Sequence, residues 1–305
     1  MQTEIEQLYQ KIAHPIQDMA LPKGIEIKGS AHYLDFIRGK QIVRLGIRHF
    51  VYSQDIINSF DYYFGSVKPL NFNGSELVDY STGRYHDVQD FELMPIFFPS
   101  LSEPIVTTHQ YLDFAALRPG VSVLDLGAYS GLTSIIFKEA VGAQGRVVAV
   151  DADTENVLAI QKNLSLYKKI SGMDIDLVHS AVWNHCNGLS FSSEGNMGSS
   201  ASEIVGVERG INTTVKSLTL SKLMETAQLD TVDFIKCDVE GAEGVIFEDR
   251  AFFEKYRPRI IVETHLVAGR ETTEKCISDL SQYGYVCKRI DQTGVTLPLI
   301  ECYPQ

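Results

Sequence analysis

The sequence predicts an α/β fold: a doubly wound, mostly parallel sheet ending in a C-terminal antiparallel hairpin, with an N-terminal α+β cap ahead of it. Three observations predict it. The run Val121-Ser122-Val123-Leu124-Asp125-Leu126 is apolar on both faces, as a buried parallel strand is, and Gly127-Ala128-Tyr129-Ser130-Gly131 follows directly. Leu132, Ile135, Ile136 and Ala140 then recur at helical spacing, which places the glycines at a strand-to-helix turn. Downstream, short apolar runs alternate with helical patterns, and the last two runs, 286–290 and 295–300, flank Gln292-Thr293-Gly294.

The chain of 305 residues has room for one large α/β domain and an extension, divided here into a cap on the substrate side, 1–102, and the main domain, 103–305. A formal net charge of -12 argues against nucleic acid as a partner, because phosphate backbones call for clustered Lys and Arg, and it disfavours an anionic membrane surface. No apolar run approaches the length of a membrane span. The first twelve residues carry acids and glutamines where a leader would be basic and then apolar. Cys186, Cys237, Cys276, Cys287 and Cys302 are odd in number and match no zinc spacing, so reduced thiols and a cytoplasmic location are expected. The oligomeric state is left open, a homo-oligomer included.

Taken in order, Ile5, Leu8 and Ile12 predict a short helix ending near Pro15. A strand is expected over 41–47 and an amphipathic helix over 55–64, with Phe60, Tyr62, Tyr63 and Phe64 at its end. Residues 76–79 and 85–88 flank Ser81-Thr82-Gly83-Arg84 and read as a hairpin. His86, Asp87, Asp90 and Glu92 read as a solvated group, with substrate contact as the alternative. A helix over 106–117 stops at Pro119-Gly120 and feeds the strand before the glycine turn. A second strand, 147–150, ends at Asp151, and Val157, Ile160 and Leu164 give the next helix its buried face. A third strand, 175–178, runs into Ser180-Ala181-Val182-Trp183. Residues 189–192 and 213–218 bracket a Gly/Ser-rich loop and read as an inserted hairpin. Leu220, Leu223 and Met224 form a short helix. Phe234-Ile235-Lys236-Cys237-Asp238 is a central strand end released by Gly241, and 259–262 is a fifth strand ending in Glu263-Thr264-His265. Cys276, Ile277, Leu280 and Tyr283 form the last helix face, capped by Gly284.

The glycine turn is of nucleotide-binding type, at the carboxyl end of the first strand of such a sheet. Dinucleotide folds use Gly-x-Gly-x-x-Gly, with a helix N-terminus facing pyrophosphate. Here Tyr129 takes the place of the second glycine, and Asp125 stands inside Asp125-x-Gly127-x-x-x-Gly131. A carboxylate there repels phosphate and attracts an ammonium, which points to a cationic, phosphate-free ligand. A tight turn without a ligand is the plain alternative. Asp151, twenty residues past Gly131, stands where an acid accepts ribose hydroxyls; a helix cap is its alternative. Small Ser180 and Ala181 leave room for an adenine ring, with Trp183 as a wall or simply as core. Thr107, Thr108 and His109 are candidates for the carboxylate end of such a ligand.

Asp125-x-Gly127-x-x-x-Gly131 resembles the first motif of class I S-adenosylmethionine-dependent methyltransferases. Lys236-Cys237-Asp238-Val239-Glu240-Gly241-Ala242-Glu243, Asp125-Leu126-Gly127-Ala128-Tyr129-Ser130-Gly131, Ser180-Ala181-Val182 and Ile261-Val262-Glu263-Thr264-His265 together resemble the signatures of the FkbM-type methyltransferases, over roughly 103–290. The resemblance implies a Rossmann-like class I methyltransferase sheet and S-adenosyl-L-methionine as cofactor. It also implies O-methylation of a hydroxyl on a sugar or small natural product. Asp151 departs from the Glu that many relatives carry, a change that preserves ribose binding. The first 100 residues lie outside the resemblance, so the acceptor is not implied; a carbohydrate fits the aromatic cap.

On this reading Asp125, Gly127, Ala128, Tyr129, Gly131, Asp151, Ala152, Ser180, Ala181 and Asp238 bind the cofactor. His265, Asp238 and Glu240 are the catalytic candidates. A sugar hydroxyl is far less acidic than any side-chain base, so its deprotonation accompanies attack. His265 is the first candidate base and Asp238 the second, while Glu240 and Glu263 position substrate or Lys236. No metal is assigned, although Asp238, Glu240, Glu243, Glu263 and His265 are ligands of the type a hard cation uses. Glu243 is expected to point along its helix. Two other classes remain: a silent cofactor-binding protein, and a nicotinamide-dependent oxidoreductase, against which Tyr129 argues.

Overall fold

The computed structural model describes residues 16–103, 105–193, 195, 200–201, 211–291 and 297–305. The helix expected around Ile5 to Ile12 and most of the Gly/Ser-rich loop lie outside them. The chain divides into two compact units, Met1–Ile105 and Val106–Gln305.

In the first unit, β1 (Glu26–Gly29), β2 (Tyr33–Arg38) and β3 (Gln41–Gly46) form an antiparallel meander. Alternation along β2 buries Leu34 and Phe36 on one face. α1 (Ser53–Asn58) and α2 (Phe60–Gly65) replace the single helix expected over 55–64. The break is at Ser59 (φ -122°, ψ 38°), a residue type that competes for backbone hydrogen bonds within helices. β4 (Leu70–Phe72) and β5 (Ser75–Tyr80) complete a sheet of order β1-β2-β3-β5-β4. The hairpin expected across residues 81–84 does not form. β5 pairs with β3 in parallel and with β4 antiparallel, so both its edges are taken. Asp79 accepts hydrogen bonds from Ser81 N and Oγ and from Arg84, turning the chain away. β6 (Arg84–His86) instead pairs with β7 (Ile96–Phe98). His86, read from sequence as solvated, is buried beside the rings of Tyr80 and Phe98.

The second unit begins with α3 (Ile105–Ala115), β8 (Ser122–Leu126), α4 (Leu132–Val141), β9 (Arg146–Asp151), α5 (Thr154–Ser171) and β10 (Asp176–His179). β11 (Ala181–Val182) follows, then β12 (Leu189–Ser193), β13 (Ser200–Ala201), β14 (Ile211–Val215) and β15 (Ser217–Leu218). β12 and β14 pair antiparallel, as the inserted hairpin requires, while β15 pairs with β11. α6 (Leu220–Thr226), β16 (Phe234–Cys237), α7 (Glu243–Ile246), α8 (Arg250–Lys255) and β17 (Arg259–Glu263) come next. The chain closes with β18 (Leu266–Val267), β19 (Arg270–Glu271), α9 (Thr273–Gln282), β20 (Tyr285–Ile290) and β21 (Leu299–Pro304).

Seven of these strands make one sheet, in the order β10-β9-β8-β16-β17-β21-β20. The interior pairings are parallel, and β21 runs antiparallel to both its neighbours, as the expected terminal hairpin demands. Its second strand is described over Leu299–Pro304, and residues 292–296, part of the expected hairpin, fall outside the description. The period of two divides each central strand between two cores. Val123, Phe234 and Ile261 join Tyr111, Phe114 and Phe137 on the α3–α4 side. Leu124, Leu126, Ile235, Cys237, Ile260 and Val262 join Phe247, Phe252 and Leu280 on the other side. Asp125, Lys236 and Glu263 share the first face, because Lys236 is in register with Asp125 on one side and with Ile261 on the other. Among the described residues, no helix is long and apolar enough to cross a membrane.

Candidate active site

The glycine turn is pinned by three strands. The N–H groups of Gly127 and Ala128 both donate to the Val150 carbonyl at the end of β9. Tyr129 N–H donates to Asp151 Oδ2 at 2.8 Å. Gly127 lies at φ 76°, and a Cβ there would stand 1.7 Å from the Asp238 carbonyl oxygen, so only glycine lets the turn meet the end of β16.

Asp151, the last residue of β9, accepts from Tyr129 N–H, from Asp153 N–H at 2.8 Å and from Asn156 Nδ2 at 3.4 Å. Burial pushes its carboxyl up to about 7, against those hydrogen bonds. The cap of α5 is Asp153, whose Oδ1 accepts from Glu155 and Asn156 N–H, so Asp151 is free of that duty. Its carboxylate retains lone pairs for further donors. The Ala152 carbonyl lies 3.2 Å from His179 Nε2. Ser180 and Ala181 are buried, and Ser180 Oγ donates to the carbonyls of Ala181 and Lys216. Trp183 is a core residue. Thr108 Oγ1 is buried 2.9 Å from Thr133 Oγ1, so that hydroxyl locks α3 to α4.

Asp125 differs from its sequence expectation. Its side chain has no exposed surface, so the carboxylate expected to attract an ammonium is closed off. Ser134 Oγ donates to its Oδ2, and its Oδ1 faces Lys236 Nζ at 3.4 Å. Burial raises this carboxyl, with Lys236 and Ser134 pulling the other way. Lys236 Nζ also donates to the Gly127 carbonyl at 2.6 Å and lies 3.5 Å from Asp238 Oδ2. One buried ammonium thus ties the glycine turn to the end of β16.

Beyond β16 and β17 the polar side chains converge. His265 Nε2 is 3.6 Å from Asp238 Oδ1 and 3.7 Å from Glu240 Oε1. Glu240, at φ 52°, sits in the left-handed turn that aims it there. Contrary to the sequence expectation, Glu243 does not point along its helix. It is fully buried and turns back, its Oε1 accepting from His265 N–H, from Thr272 Oγ1 and, at 3.1 Å, from His265 Nδ1. Its Oε2 accepts from Gly241 N–H, which completes the start of α7. Burial opposes a charge on His265, but Glu240, Glu243 and Asp238 raise its pKa well above the ordinary value. Burial raises Glu240, and it raises Glu263 together with Asp238. Sequence reasoning missed Tyr111: its hydroxyl reaches from α3 to donate to Glu263 Oε2 at 2.8 Å.

Asp238, Glu240 and Glu263 therefore stand with His265 at this edge, while Asp125 and Glu243 lie buried behind them against Lys236 and His265, so that acids outnumber bases. The acids left at the edge suit a cationic ligand better than a pyrophosphate. A seven-stranded sheet with one antiparallel strand, and a glycine turn and strand-end acids at its carboxyl edge, defines a class I S-adenosylmethionine-dependent methyltransferase. The family described as "Methyltransferase FkbM domain" matches residues 125–287, and this chain belongs to it. S-adenosyl-L-methionine is its cofactor.

Solved structures resemble the chain at low identity. Methyltransferase FkbM from Methylobacillus flagellatus KT has a TM-score of 0.44 and 15% identity, covering 64% of this chain and 50% of that one. Precorrin-6y C5,15-methyltransferase from Geobacter metallireducens GS-15 has a TM-score of 0.40 and 15% identity, covering 66% and 88%. The O-methyltransferase from Bacillus cereus in complex with SAH has a TM-score of 0.39 and 13% identity, covering 67% and 82%. No curated protein sequence matches the chain.

Proposed function

We propose that this methyltransferase acts on oxygen, methylating a hydroxyl of a sugar or another small, uncharged acceptor. The observation that carries the reading is the convergence of Asp238, Glu240 and His265 Nε2 beside the glycine turn. The bound cofactor supplies an electrophilic methyl group. The residues present fit it: the turn from Gly127 to Gly131 offers backbone to its body, Asp151 offers carboxylate oxygens to ribose hydroxyls, and Asp238 offers charge to its ammonium. Ala128, Tyr129, Ala152, Ser180 and Ala181 line the same edge of the sheet.

The protein's own task is then to align the acceptor and manage its proton. The Asp238–Glu240–His265 cluster holds the acceptor oxygen and draws off its proton as attack proceeds. Glu243 fixes the imidazole through Nδ1, so Nε2 is the atom presented. The Tyr111–Glu263 hydrogen bond holds a further carboxylate at the edge of the cluster. The excess of acids over bases at this edge offers nothing to a carboxylate or phosphate acceptor, which leaves neutral hydroxyls as the best match.

The test incubates the purified chain with methyl-labelled cofactor and a panel of monosaccharides, phenols, amines and carboxylic acids. Products stable to mild base, with the methyl on oxygen, are expected. Methylation confined to nitrogen, carbon or carboxyl groups would overturn the reading. Titration with S-adenosylhomocysteine checks the cofactor half separately. Asp151→Ala is expected to weaken that affinity by roughly tenfold to a hundredfold, the worth of charge-assisted hydrogen bonds.

A further inference from the structure

We infer that Asp238, Glu240 and His265 form a binding site for one divalent transition-metal cation. The donor atoms His265 Nε2, Asp238 Oδ1 and Glu240 Oε1 come from two strand ends, and the three residues each offer a ligand atom within 4.8 Å of the others. Two features suit them to a shared cation. First, the separations from Nε2, 3.6 and 3.7 Å, are too long for hydrogen bonds, and no hydrogen bond to these three atoms is made among the described residues. Atoms sharing one ion at bond lengths of about 2.1 Å stand roughly 3 to 4.2 Å apart, and both separations from Nε2 fall in that range. Second, the imidazole is set from behind. Fully buried Glu243 engages Nδ1 at 3.1 Å, the carboxylate–histidine arrangement that orients a metal-binding ring and makes its other nitrogen the better donor.

The donor set selects the ion. Two carboxylates with one imidazole suit Mn²⁺, Fe²⁺ or Zn²⁺ better than Mg²⁺ or Ca²⁺, which prefer oxygen alone. Two negative ligands match a charge of +2. Side-chain exposures of 29%, 29% and 18% for Asp238, Glu240 and His265 leave the site open to ions from solvent. Three protein ligands also leave coordination positions for water or for an acceptor oxygen. The inference rests on reading this cluster as the acceptor end of the site, and it makes the cation the group that touches the acceptor.

The test is calorimetric titration of chelator-treated, desalted full chain with MnCl₂, repeated with ZnCl₂, alongside Asp238→Asn, Glu240→Gln and, as control, Asp176→Asn, whose carboxylate pairs with Arg146 elsewhere. One ion per chain is expected. Affinity should fall by about a hundredfold or more in each ligand variant and stay unchanged in the control, because each substitution removes one charged ligand. MnCl₂ should also raise the melting temperature of the wild type but not of Glu240→Gln. S-adenosylhomocysteine binding, measured on the same samples, separates the two readings. A chain that binds the nucleoside but neither ion, or binds ions equally well after both substitutions, overturns the metal site alone. A folded chain that binds no nucleoside would instead overturn the cofactor geometry.

Discussion

Gly127→Ala should be the most damaging small substitution in the second unit. The residue lies at φ 76°, and the added methyl would stand 1.7 Å from the Asp238 carbonyl oxygen and 2.9 Å from its carbon. Neither side can simply yield. Gly127 N–H is held by Val150 O, the Gly127 carbonyl by Lys236 Nζ, and Asp238 N–H by Leu126 O. Left-handed backbone costs an alanine about 1–2 kcal/mol. Relieving the clash breaks one or two of those hydrogen bonds, at about 1 kcal/mol each. The sum is roughly 3 kcal/mol, and at about 2–4 °C per kcal/mol for a unit of this size the melting temperature should fall by roughly 10 °C. Gly172→Ala supplies the control: φ is 74° at the end of α5, but nothing lies within 4 Å of the added carbon. It carries the backbone cost alone, about 1–2 kcal/mol. Thermal melts of the two variants, followed by circular dichroism, measure the difference directly. Equal melting temperatures would refute the contact between the glycine turn and the end of β16, and with it the architecture of the site.

Two further predictions concern His86 and Glu243. Burial, with Arg84 nearby, lowers His86 to about 4, so the unfolded chain takes up its proton first as pH falls. Stability from this residue is complete above about pH 6.5 and is lost as pH drops toward 4, by about 3 kcal/mol in all. Urea denaturation of wild type and His86→Leu between pH 7 and 4 should show that difference in slope; parallel curves would refute it. Glu243→Gln keeps the shape of a positioning residue but removes its charge from His265 Nδ1. It should weaken Mn²⁺ binding by about tenfold to a hundredfold while leaving S-adenosylhomocysteine affinity unchanged. Loss of both affinities would mark the residue as merely structural.

The sheet was legible because its signals are local. A both-faces-apolar strand, a glycine turn and a helical period can be read within a dozen residues around Gly127, and the Lys236-to-Glu243 string located the polar cluster in the same way. What failed was partner choice. Alternation along 75–80 tells which face is buried but not which strand lies alongside, so the parallel pairing of β5 with β3 looked like a hairpin. The closure of Asp125 by Lys236 depends on the register between β16 and β8. Tyr111 and Glu263 meet across 152 residues of chain. Glu243 was misjudged because helical geometry governs where a side chain starts, whereas buried N–H and hydroxyl donors on the β17–α9 connection decide where its oxygens finish.

Lys236 joins the glycine turn and the Asp238 end of the polar cluster. A lone buried ammonium is costly, and so is a lone Asp125 carboxylate. Here Nζ meets Asp125, the Gly127 carbonyl and Asp238 at once. The same charge that neutralises Asp125 beneath the turn also fixes the carbonyl that shapes the turn and draws on the Asp238 carboxylate, whose other oxygen faces His265. Moving either carboxylate leaves the buried Lys236 ammonium short of a counter-charge. That linkage accounts for a lysine two residues before Asp238 on a strand whose other described positions are apolar or thiol: the position is dictated by the register with Asp125, and the residue type by the two carboxylates it must satisfy.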